Sequence, residues 1–271
     1  MRFYMVISKK MFICTYLRDA PLALVWLLKL RRSLYGLKQA PRAWFEKFQA
    51  ALLRLDFHPS LYDPSMFLHH DPSGIAILLV YVDDIVITGP NAGMIQQLQA
   101  SLRESFQMKD LGPLHYFLGL EVHQSPKGIF LNQHKYTVDL IALAGMTASA
   151  PVDTPVELNV KLSRAEGDLL SDPTTYRQLV GSLIYLTITR PDISYAVNLM
   201  SQFMTAPRHL HLAAVRRIIR YLIRTPSCGL FFPSNNPLTL KAYSDADWAG
   251  CPDTRRSTTG WCMFLGDSLI S

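Results

Sequence analysis

The stretch Ile75–Gly89, IAILLVYVDDIVITG, decides how this chain is interpreted. It consists of an apolar strand, two adjacent acids and a second apolar strand. Ionised carboxylates rarely interrupt a core-forming run, because burying an unpaired charge is costly. Asp83 and Asp84 therefore need an explanation. They can form a sharp hairpin turn, where Asp is favoured, or bind a divalent cation, and a tight turn between two buried strands allows both.

The 271 residues have a globular composition, 49% hydrophobic and 18% charged. A chain of this length can bury a sizeable core and hold two modest domains. No apolar run approaches the roughly 20 residues that span a bilayer, and Lys9 and Lys10 interrupt any signal-peptide core. The net charge of +6 permits a polyanionic partner but does not by itself indicate one.

The four cysteines have neither a CxxC motif nor the spacing of a metal site. They are Cys14, Cys228, Cys251 and Cys262. We interpret them as reduced thiols. Without a signal peptide or a membrane segment, we expect an intracellular protein, cytoplasmic or nuclear, with no membrane partner.

Hydrophobic periodicity and turn residues predict a mixed α+β organisation. The predicted helices begin at Ala40, Asn91 and about His134, and then span about 172–187, 191–204 and 209–225. The predicted strands are 65–70, 74–82, 85–88, 116–122, 129–132, 238–243 and 260–265. A segment rich in Thr, Ala, Ser and Pro starts at Thr147 and is predicted to be a linker.

One predicted helix, His209–Arg224, carries a row of basic residues. Arg216, Arg220 and Arg224 recur every four residues and so lie on one helical face. We call them the arginine row. Such a row suits a phosphate backbone, through charge and counterion release. An ordinary solvated face is the alternative, and the helix alone favours it.

Five strings in this chain closely resemble, in family order, the reverse transcriptase region of copia-type retrotransposon Pol polyproteins. They are KLRRSLYGLKQAPRAW (29–44), LLVYVDDIVITG (78–89), LGPLHYFLGLEV (111–122), YRQLVGSLIYLTITRPDISYAV (176–197) and YSDADWAGCPDTRRSTTG (243–260). The resemblance covers nearly everything from Lys29 to the C-terminus.

The resemblance implies a polymerase right hand. We expect a partial palm of antiparallel sheet and helices at 29–146, a linker at 147–171, a helical thumb or connection region at 172–236 and the start of a ribonuclease H-like sheet at 237–271. The implied reaction adds deoxynucleotides to a DNA primer on an RNA template. Two Mg²⁺ ions carry such phosphoryl transfer.

The resemblance also assigns roles to individual residues. Asp83 and Asp84 match the metal-binding catalytic acids, with Asp83 the more direct ligand, and Tyr81 the tyrosine near the primer end. Lys38, Gln39 and Arg42 match positions near the incoming nucleotide, although an ordinary solvated helix start explains them as well. Tyr116 and Phe117 lie in a string like the primer-grip hairpin, for which a plain core hairpin is the alternative. Asp245 matches the first catalytic carboxylate of ribonuclease H, whose other carboxylates belong downstream.

The front of the chain departs from the family. Its members carry another catalytic aspartate on a strand upstream of the region matching Lys29. Here Asp19 is the only acid before Glu46, and it lies in a turn-like string. We therefore expect an incomplete metal site, very low polymerase activity, and a palm sheet exposing an edge or an apolar face where its upstream strand is missing.

A codon-level argument suggests the origin of this front. We back-translated Met1–Tyr16 with every synonymous codon and translated the result in a shifted reading frame. The peptides that this frame permits include NAFLHGDLKEDVYMY. That string resembles the family sequence directly after the missing aspartate. We interpret residues 1–28 as a non-family segment, translated out of frame over about the first 20 residues. An unrelated extension is the alternative. Two other functions stay open: a nucleic-acid-binding remnant without chemistry, and a decayed product with no selected role.

Overall fold

The computed structural model describes residues 38–106, 108–157 and 162–271, together with the backbone of residues 2–8. The chain divides into two compact units, Met1–Leu114 and His115–Ser271. Both mix helices with antiparallel strands, which confirms the predicted α+β class. The palm, thumb and ribonuclease H boundaries stay predictions. Asp19 and the start of the 29–44 string lie outside the described residues.

In its described residues, the first unit contains a six-stranded antiparallel sheet and two α-helices. Its strands are β1 (Arg2–Ser8), β2 (His58–Pro59), β3 (Met66–Asp71), β4 (Gly74–Tyr81), β5 (Asp84–Gly89) and β6 (Met108–Pro113), in the spatial order β2-β3-β4-β5-β1-β6. The helices are α1 (Ala40–Arg54) and α2 (Ala92–Ser105). The acidic pair thus lies at the end of a hairpin in the middle of the sheet.

The core of this unit forms where the apolar sides of α1 and α2 meet the sheet. Phe48 and Leu52 of α1 are fully buried with Leu78 and Ile87 of the strands. The Asn91 side chain accepts the Met94 N–H at 3.1 Å and so caps α2 as its sequence predicts. These contacts fix the hairpin that carries the acids.

Strand β1 corrects the expectation of an exposed sheet edge beside β5. It pairs antiparallel with β5, from Arg2 opposite Gly89 to Ile7 opposite Asp84. On its other side it pairs with β6. Its sequence, RFYMVIS, is rich in residues that favour strands. The N-terminal segment therefore supplies the neighbour of β5, and this neighbour contains no acid.

The second unit contains two antiparallel sheets and four α-helices in its described residues. One sheet has the order β10-β9-β8-β7, and the other is β11-β12-β13. Their strands are β7 (Tyr116–Phe117), β8 (Leu120–Ser125), β9 (Gly128–Asn132), β10 (Gly229–Pro233), β11 (Leu240–Ala246), β12 (Thr259–Leu265) and β13 (Ser268–Leu269). The helices are α3 (His134–Leu143), α4 (Thr174–Leu186), α5 (Ser194–Ser201) and α6 (His209–Arg224), with a 3₁₀ turn at Pro191–Ile193.

The four helices share one apolar core. Leu140 of α3, Leu183 of α4, Val197 of α5 and Ile219 of α6 are all buried in it. Helix α3 therefore packs with the helices that follow the linker. None of the helices in the described residues is long and apolar enough to cross a bilayer.

Arg190 is one of the buried polar side chains that link elements of this core. Arg190 is 2% exposed and donates to both carboxylate oxygens of Asp192 (2.9 and 2.7 Å) and to the Thr225 carbonyl (2.6 Å). The Tyr221 hydroxyl donates to the same carboxylate at 2.8 Å. Burial acts to raise the pKa of Asp192, but the hydrogen bonds from Arg190 and Tyr221 outweigh it and hold the pKa below its usual value. This network joins the end of α6 to the 3₁₀ turn.

His211 of α6 is another buried polar side chain and is fully shielded from solvent. Its Nδ1 lies 3.1 Å from the Arg208 amide and its Nε2 lies 3.2 Å from the Ser163 carbonyl. An amide can only donate and a carbonyl can only accept, so this network assigns the neutral tautomer with the proton on Nε2. The ring stacks on Phe203 at 3.8 Å.

Candidate functional site

The acidic turn, Tyr81–Asp84, joins β4 to β5. Tyr81 pairs with Asp84, so Val82 and Asp83 form a two-residue loop. Val82 has φ +52° and its side chain is 64% exposed. This is the loop position where type II′ turns take glycine, and a β-branched residue there is an outlier. Strain of this kind, about 1–3 kcal/mol, clusters at functional sites.

The two acids of the turn lie half-buried and close in sequence. Burial raises the pKa of Asp84, and the negative charge of Asp83 raises it further. This is the direction expected for like charges held near each other. A bound cation would reverse the effect, because it favours both ionised forms.

The donor chemistry of the turn fits Mg²⁺. This ion takes hard oxygen ligands and is usually bound through one or two carboxylates plus waters and substrate phosphates. Asp83 and Asp84 supply two carboxylates. Across the residues that the structure describes, no three His, Cys, Asp or Glu side chains come together as a metal-holding group. The register sets Ile7, an apolar residue, opposite Asp84.

The predicted nucleotide-binding residues lie at the start of α1. Lys38, Gln39 and Arg42 are all exposed. Gln39 occupies the N-cap position but makes no side-chain capping bond, and Arg42 pairs with Glu46 at 2.9 Å. The first turn of α1 therefore offers uncapped amides beside two basic side chains, which is an arrangement that suits phosphate.

The predicted primer-grip string forms a tight hairpin. Phe117 pairs with Leu120, while Leu118 and Gly119 have φ of +49° and +80°. The hydroxyl of Tyr185 donates to the Leu118 carbonyl and lies 2.8 Å from where a Cβ on Gly119 would be. Only glycine fits there. The prediction of one strand over 116–122 is wrong, because this turn divides it into β7 and β8.

Tyr116 is exposed and Phe117 is half-buried in β7. Both belong to the second unit, whereas the acidic turn belongs to the first. The structure thus brings Tyr81, Asp83 and Asp84 together in one turn. It assigns the hairpin, the arginine row and Asp245 to the other unit.

The arginine row is partly occupied by the chain itself. Arg220 donates to the Ala150 carbonyl at 2.7 Å, and Arg224 donates to the Asp153 carboxylate. The neighbouring Arg217 bonds Glu157 at 2.7 Å. We call residues 150–157 the acidic segment. It lies along α6, where the sequence suggested either a phosphate backbone or water.

Asp245 lies near the end of β11, opposite Gly260. Every residue of β11 is exposed. One carboxylate oxygen of Asp245 accepts the Ala246 N–H at 2.9 Å. The ribonuclease H role of Asp245 stays a prediction.

Sequence reasoning missed three groups that shape the turns and the helical core. Val82 could have been noticed, because an apolar β-branched residue stands where a two-residue hairpin loop normally takes Gly, Asn or Asp. The Arg190–Asp192 pair could have been noticed as charged residues inside a helical region that is otherwise apolar. Tyr185 gave no such signal, because its role depends on a contact 67 residues away.

Comparison with known proteins agrees with the predicted resemblance. A family described as reverse transcriptase (RNA-dependent DNA polymerase) matches residues 24–158. The chain is 48% identical over 246 residues to the retrovirus-related Pol polyprotein from transposon RE1 of Arabidopsis thaliana. That match covers 91% of this chain and 17% of the polyprotein.

Two further relatives also match this chain. The retrovirus-related Pol polyprotein from transposon TNT 1-94 of Nicotiana tabacum is 38% identical over 255 residues, which is 90% of this chain and 19% of that protein. An uncharacterized mitochondrial protein of Arabidopsis thaliana is 46% identical over 196 residues, which is 72% of this chain and 80% of that protein. The chain thus spans less than a fifth of the length of the two polyproteins.

Proposed function

This chain belongs to the reverse transcriptase family of transposon Pol polyproteins, and we propose that it carries part of an RNA-directed DNA polymerase that is inactive, or nearly so, as it stands. The proposed substrates are an RNA template, a DNA primer and deoxynucleotides. The proposed chemical centre is the acidic turn, whose Asp83 and Asp84 would hold Mg²⁺. That ion, when bound, neutralises developing charge on the transferred phosphoryl group.

One observation carries the inactive part of the proposal. The strand beside β5, opposite the acidic turn, reads RFYMVIS and contains no carboxylate. Ile7 occupies the register position across from Asp84. Electrostatic preorganisation is usually the largest catalytic contribution. A centre that lacks one of its anionic ligands would therefore bind metal weakly and align a substrate poorly.

The remaining residues of the first unit have supporting roles in this proposal. Tyr81, 52% exposed beside the acids, offers an aromatic surface to a primer end. Lys38, Arg42 and the uncapped amides of α1 offer positive potential to a triphosphate. These groups bind and orient, and they hold no proton that the reaction must move.

Primer extension tests the proposal directly. The purified chain, given Mg²⁺, deoxynucleotides and an RNA template with a DNA primer, should extend the primer no faster than its Asp83→Asn variant. Extension by the unaltered chain that Asp83→Asn abolishes would refute the claim of inactivity.

A gain-of-binding variant tests the missing ligand. Ile7→Asp introduces a carboxylate at the register position opposite Asp84, and we expect it to tighten Mn²⁺ binding roughly tenfold or more, measured by paramagnetic relaxation of water. Met5→Asp is the matched control. It adds the same charge on the same strand two residues away, roughly 7 Å from the turn, and should change binding little. Equal effects of the two variants would contradict the proposed position.

A second candidate function is binding of a primer–template duplex without chemistry. The exposure of Arg216 and of the Arg224 side chain (64%) favours it. Phosphate would have to displace the acidic segment, because Asp153 and Glu157 already pair with α6. For binding of this kind, the logarithm of the association constant falls linearly with the logarithm of the salt concentration.

Fluorescence anisotropy with a labelled duplex separates this candidate from polymerase activity. Arg216→Ala should lower the salt slope by about one unit. Asp153→Asn should raise affinity, because it releases Arg224. Binding that responds to neither change would place the nucleic-acid surface elsewhere.

A further inference from the structure

The hairpin that joins β7 to β8 has an unusual tip. Leu118 and Gly119 form its two-residue loop, and both have positive φ. Positive φ at both loop positions is typical of a type I′ turn, which normally takes Asn-Gly. A leucine in the left-handed region is strained. Such a conformation persists only where the surrounding structure holds it.

Tyr185 of α4 makes two contacts that hold this tip. Its hydroxyl donates to the Leu118 carbonyl. The same oxygen would lie 2.8 Å from a Cβ at residue 119, which is closer than two such atoms can approach. The hydroxyl therefore bonds the first loop residue and excludes a side chain from the second.

Tyr185 is itself held by its neighbours. Its ring meets the ring of Tyr136 edge to face, with the ring centroids 5.1 Å apart, which is a favourable geometry for aromatic pairs. The Tyr136 hydroxyl donates to the Ser182 carbonyl of α4 at 3.3 Å. The hydroxyl that meets the turn is thus supported by both α3 and α4.

A second bond anchors the hairpin below its tip. The Glu121 carboxylate of β8 accepts the Lys135 N–H, at the start of α3, at 2.7 Å. Tyr116 pairs with Glu121 across the ladder and is 50% exposed. The exposed Tyr116 ring therefore lies on a hairpin that Tyr185 holds at one end and Glu121 at the other.

We propose that Tyr185 is a positioning residue for nucleic-acid binding: by holding the Leu118–Gly119 turn in its left-handed form, it fixes the Tyr116 ring where an unpaired base of a primer–template can stack. Stacking on an aromatic ring accepts any base, and a ring that is already fixed loses little freedom on binding. The inference rests on the proposed nucleic-acid substrates and adds α4 to the groups that act in their binding.

Fluorescence anisotropy with a labelled primer–template that carries a single-stranded overhang tests the proposal. Tyr116→Ala should weaken binding about tenfold, within the range for one base stacked on an aromatic ring. Tyr185→Phe keeps the aromatic ring and removes only the hydroxyl. It should weaken binding about fivefold, because the stacking ring is still present but is held less firmly.

Tyr136→Phe is the matched control. It removes the hydroxyl of the neighbouring ring, whose partner is a carbonyl of α4 and not of the turn. Each of the two Phe variants loses one hydrogen bond and should raise the unfolding equilibrium constant by a similar factor, about fivefold, in urea denaturation. Only Tyr185→Phe should weaken binding of the primer–template.

Three results would overturn the proposal. Equal losses of binding in the two Phe variants would show that Tyr185 acts only through stability. Unchanged binding in Tyr185→Phe, or in Tyr116→Ala, would show that the turn does not position a stacking ring. An unaltered chain that does not bind the primer–template at all would refute the proposed substrates and this inference together.

Glycine variants test the turn without nucleic acid. Gly119→Ala and Gly145→Ala both introduce a side chain at positive φ, +80° and +66°. At residue 145 a Cβ would have no atom of the described residues within 4 Å apart from its chain neighbours. Gly119→Ala should therefore raise the unfolding equilibrium constant about tenfold more than Gly145→Ala. Tyr185→Phe should remove most of this excess, and an excess that it leaves unchanged would show that the hydroxyl does not hold the turn.

Discussion

The helical core of the second unit and the acidic turn of the first both contain charged side chains. In the core these side chains have partners of opposite charge, whereas in the turn two carboxylates of like charge lie next to each other. In the core, Arg190 is matched by Asp192 and Thr225. In the turn, burial and the charge of Asp83 both raise the pKa of Asp84, and Val82 is strained.

Paired and unbalanced charges thus have opposite effects on the stability of the fold. A buried charge with all of its partners stabilises a fold against alternatives that would leave it unpaired. In the acidic turn, burial and the neighbouring charge of Asp83 disfavour the ionised form of Asp84. Ionised Asp84 therefore lowers the stability of the acidic turn, whereas the paired Arg190 and Asp192 support the helical core.

The largest effect should come from breaking the core network. Asp192→Ala leaves the buried Arg190 with Thr225 as its remaining hydrogen-bond partner. It should lower the free energy of unfolding by about 3 kcal/mol, at the low end of the range for such pairs because Asp192 is partly exposed. Urea denaturation measures it. Replacing both Arg190 and Asp192 by apolar residues should cost less than Asp192→Ala alone. A double variant that is worse would contradict this explanation.

The next effect concerns His211, whose pKa is lowered mainly by burial. Because the folded state disfavours the proton, stability should be complete above the ordinary value of 6.5 and fall as the pH drops below it. His211→Leu leaves the Arg208 amide without its acceptor and should cost about 1–3 kcal/mol. His211→Asn keeps an acceptor that does not titrate, and should flatten the pH dependence between 7 and 5.

A smaller effect of opposite sign is expected in the acidic turn. Val82→Gly removes roughly 1–2 kcal/mol of left-handed strain against about 0.5–1 kcal/mol of added chain entropy. The free energy of unfolding should therefore rise by up to about 1.5 kcal/mol. Val80→Gly, two residues earlier in β4, is the control. It empties a buried position and should destabilise the protein. Loss of stability in both variants would show that Val82 is not strained.

The smallest effect should come from Asp84. Because its pKa is raised in the fold, the unfolded chain releases this proton first, and stability should decline as the pH rises through the carboxylate range. Asp84→Asn should remove this decline. Asp83→Asn should remove only the part that depends on the neighbouring charge and leave the part caused by burial. Thermal melts from pH 3 to 7 would resolve the two.

Local signals predicted much of this architecture. The apolar spacing of Phe48 and Leu52 gave α1, the Asn91 cap gave the start of α2, and the acidic hairpin was identified from Ile75–Gly89 alone. The three C-terminal helices begin within a few residues of their predicted starts. Each of these elements is specified by side chains near one another in the sequence.

The features that escaped prediction depend on distant partners. Strand β6 reads MKDLGP, whose charges, Gly and Pro argue against a strand, and it exists through pairing with β1. The left-handed turn at Leu118 and Gly119 depends on Tyr185, and the occupation of the arginine row depends on the acidic segment. Such contacts leave no periodic trace along the chain.

The central position of β1 matters for synthesis. Residues 2–8 are synthesised before their partner β5, which ends at Gly89, so at about 5–20 residues per second the strand waits roughly 4–16 s for it. The hairpin of β4 and β5 closes in microseconds once made. Strand β1 thus waits for β5, and β6, which pairs with β1, can join only after it. Anything that captures β1 in the meantime, such as a chaperone, would decide whether the first unit is completed.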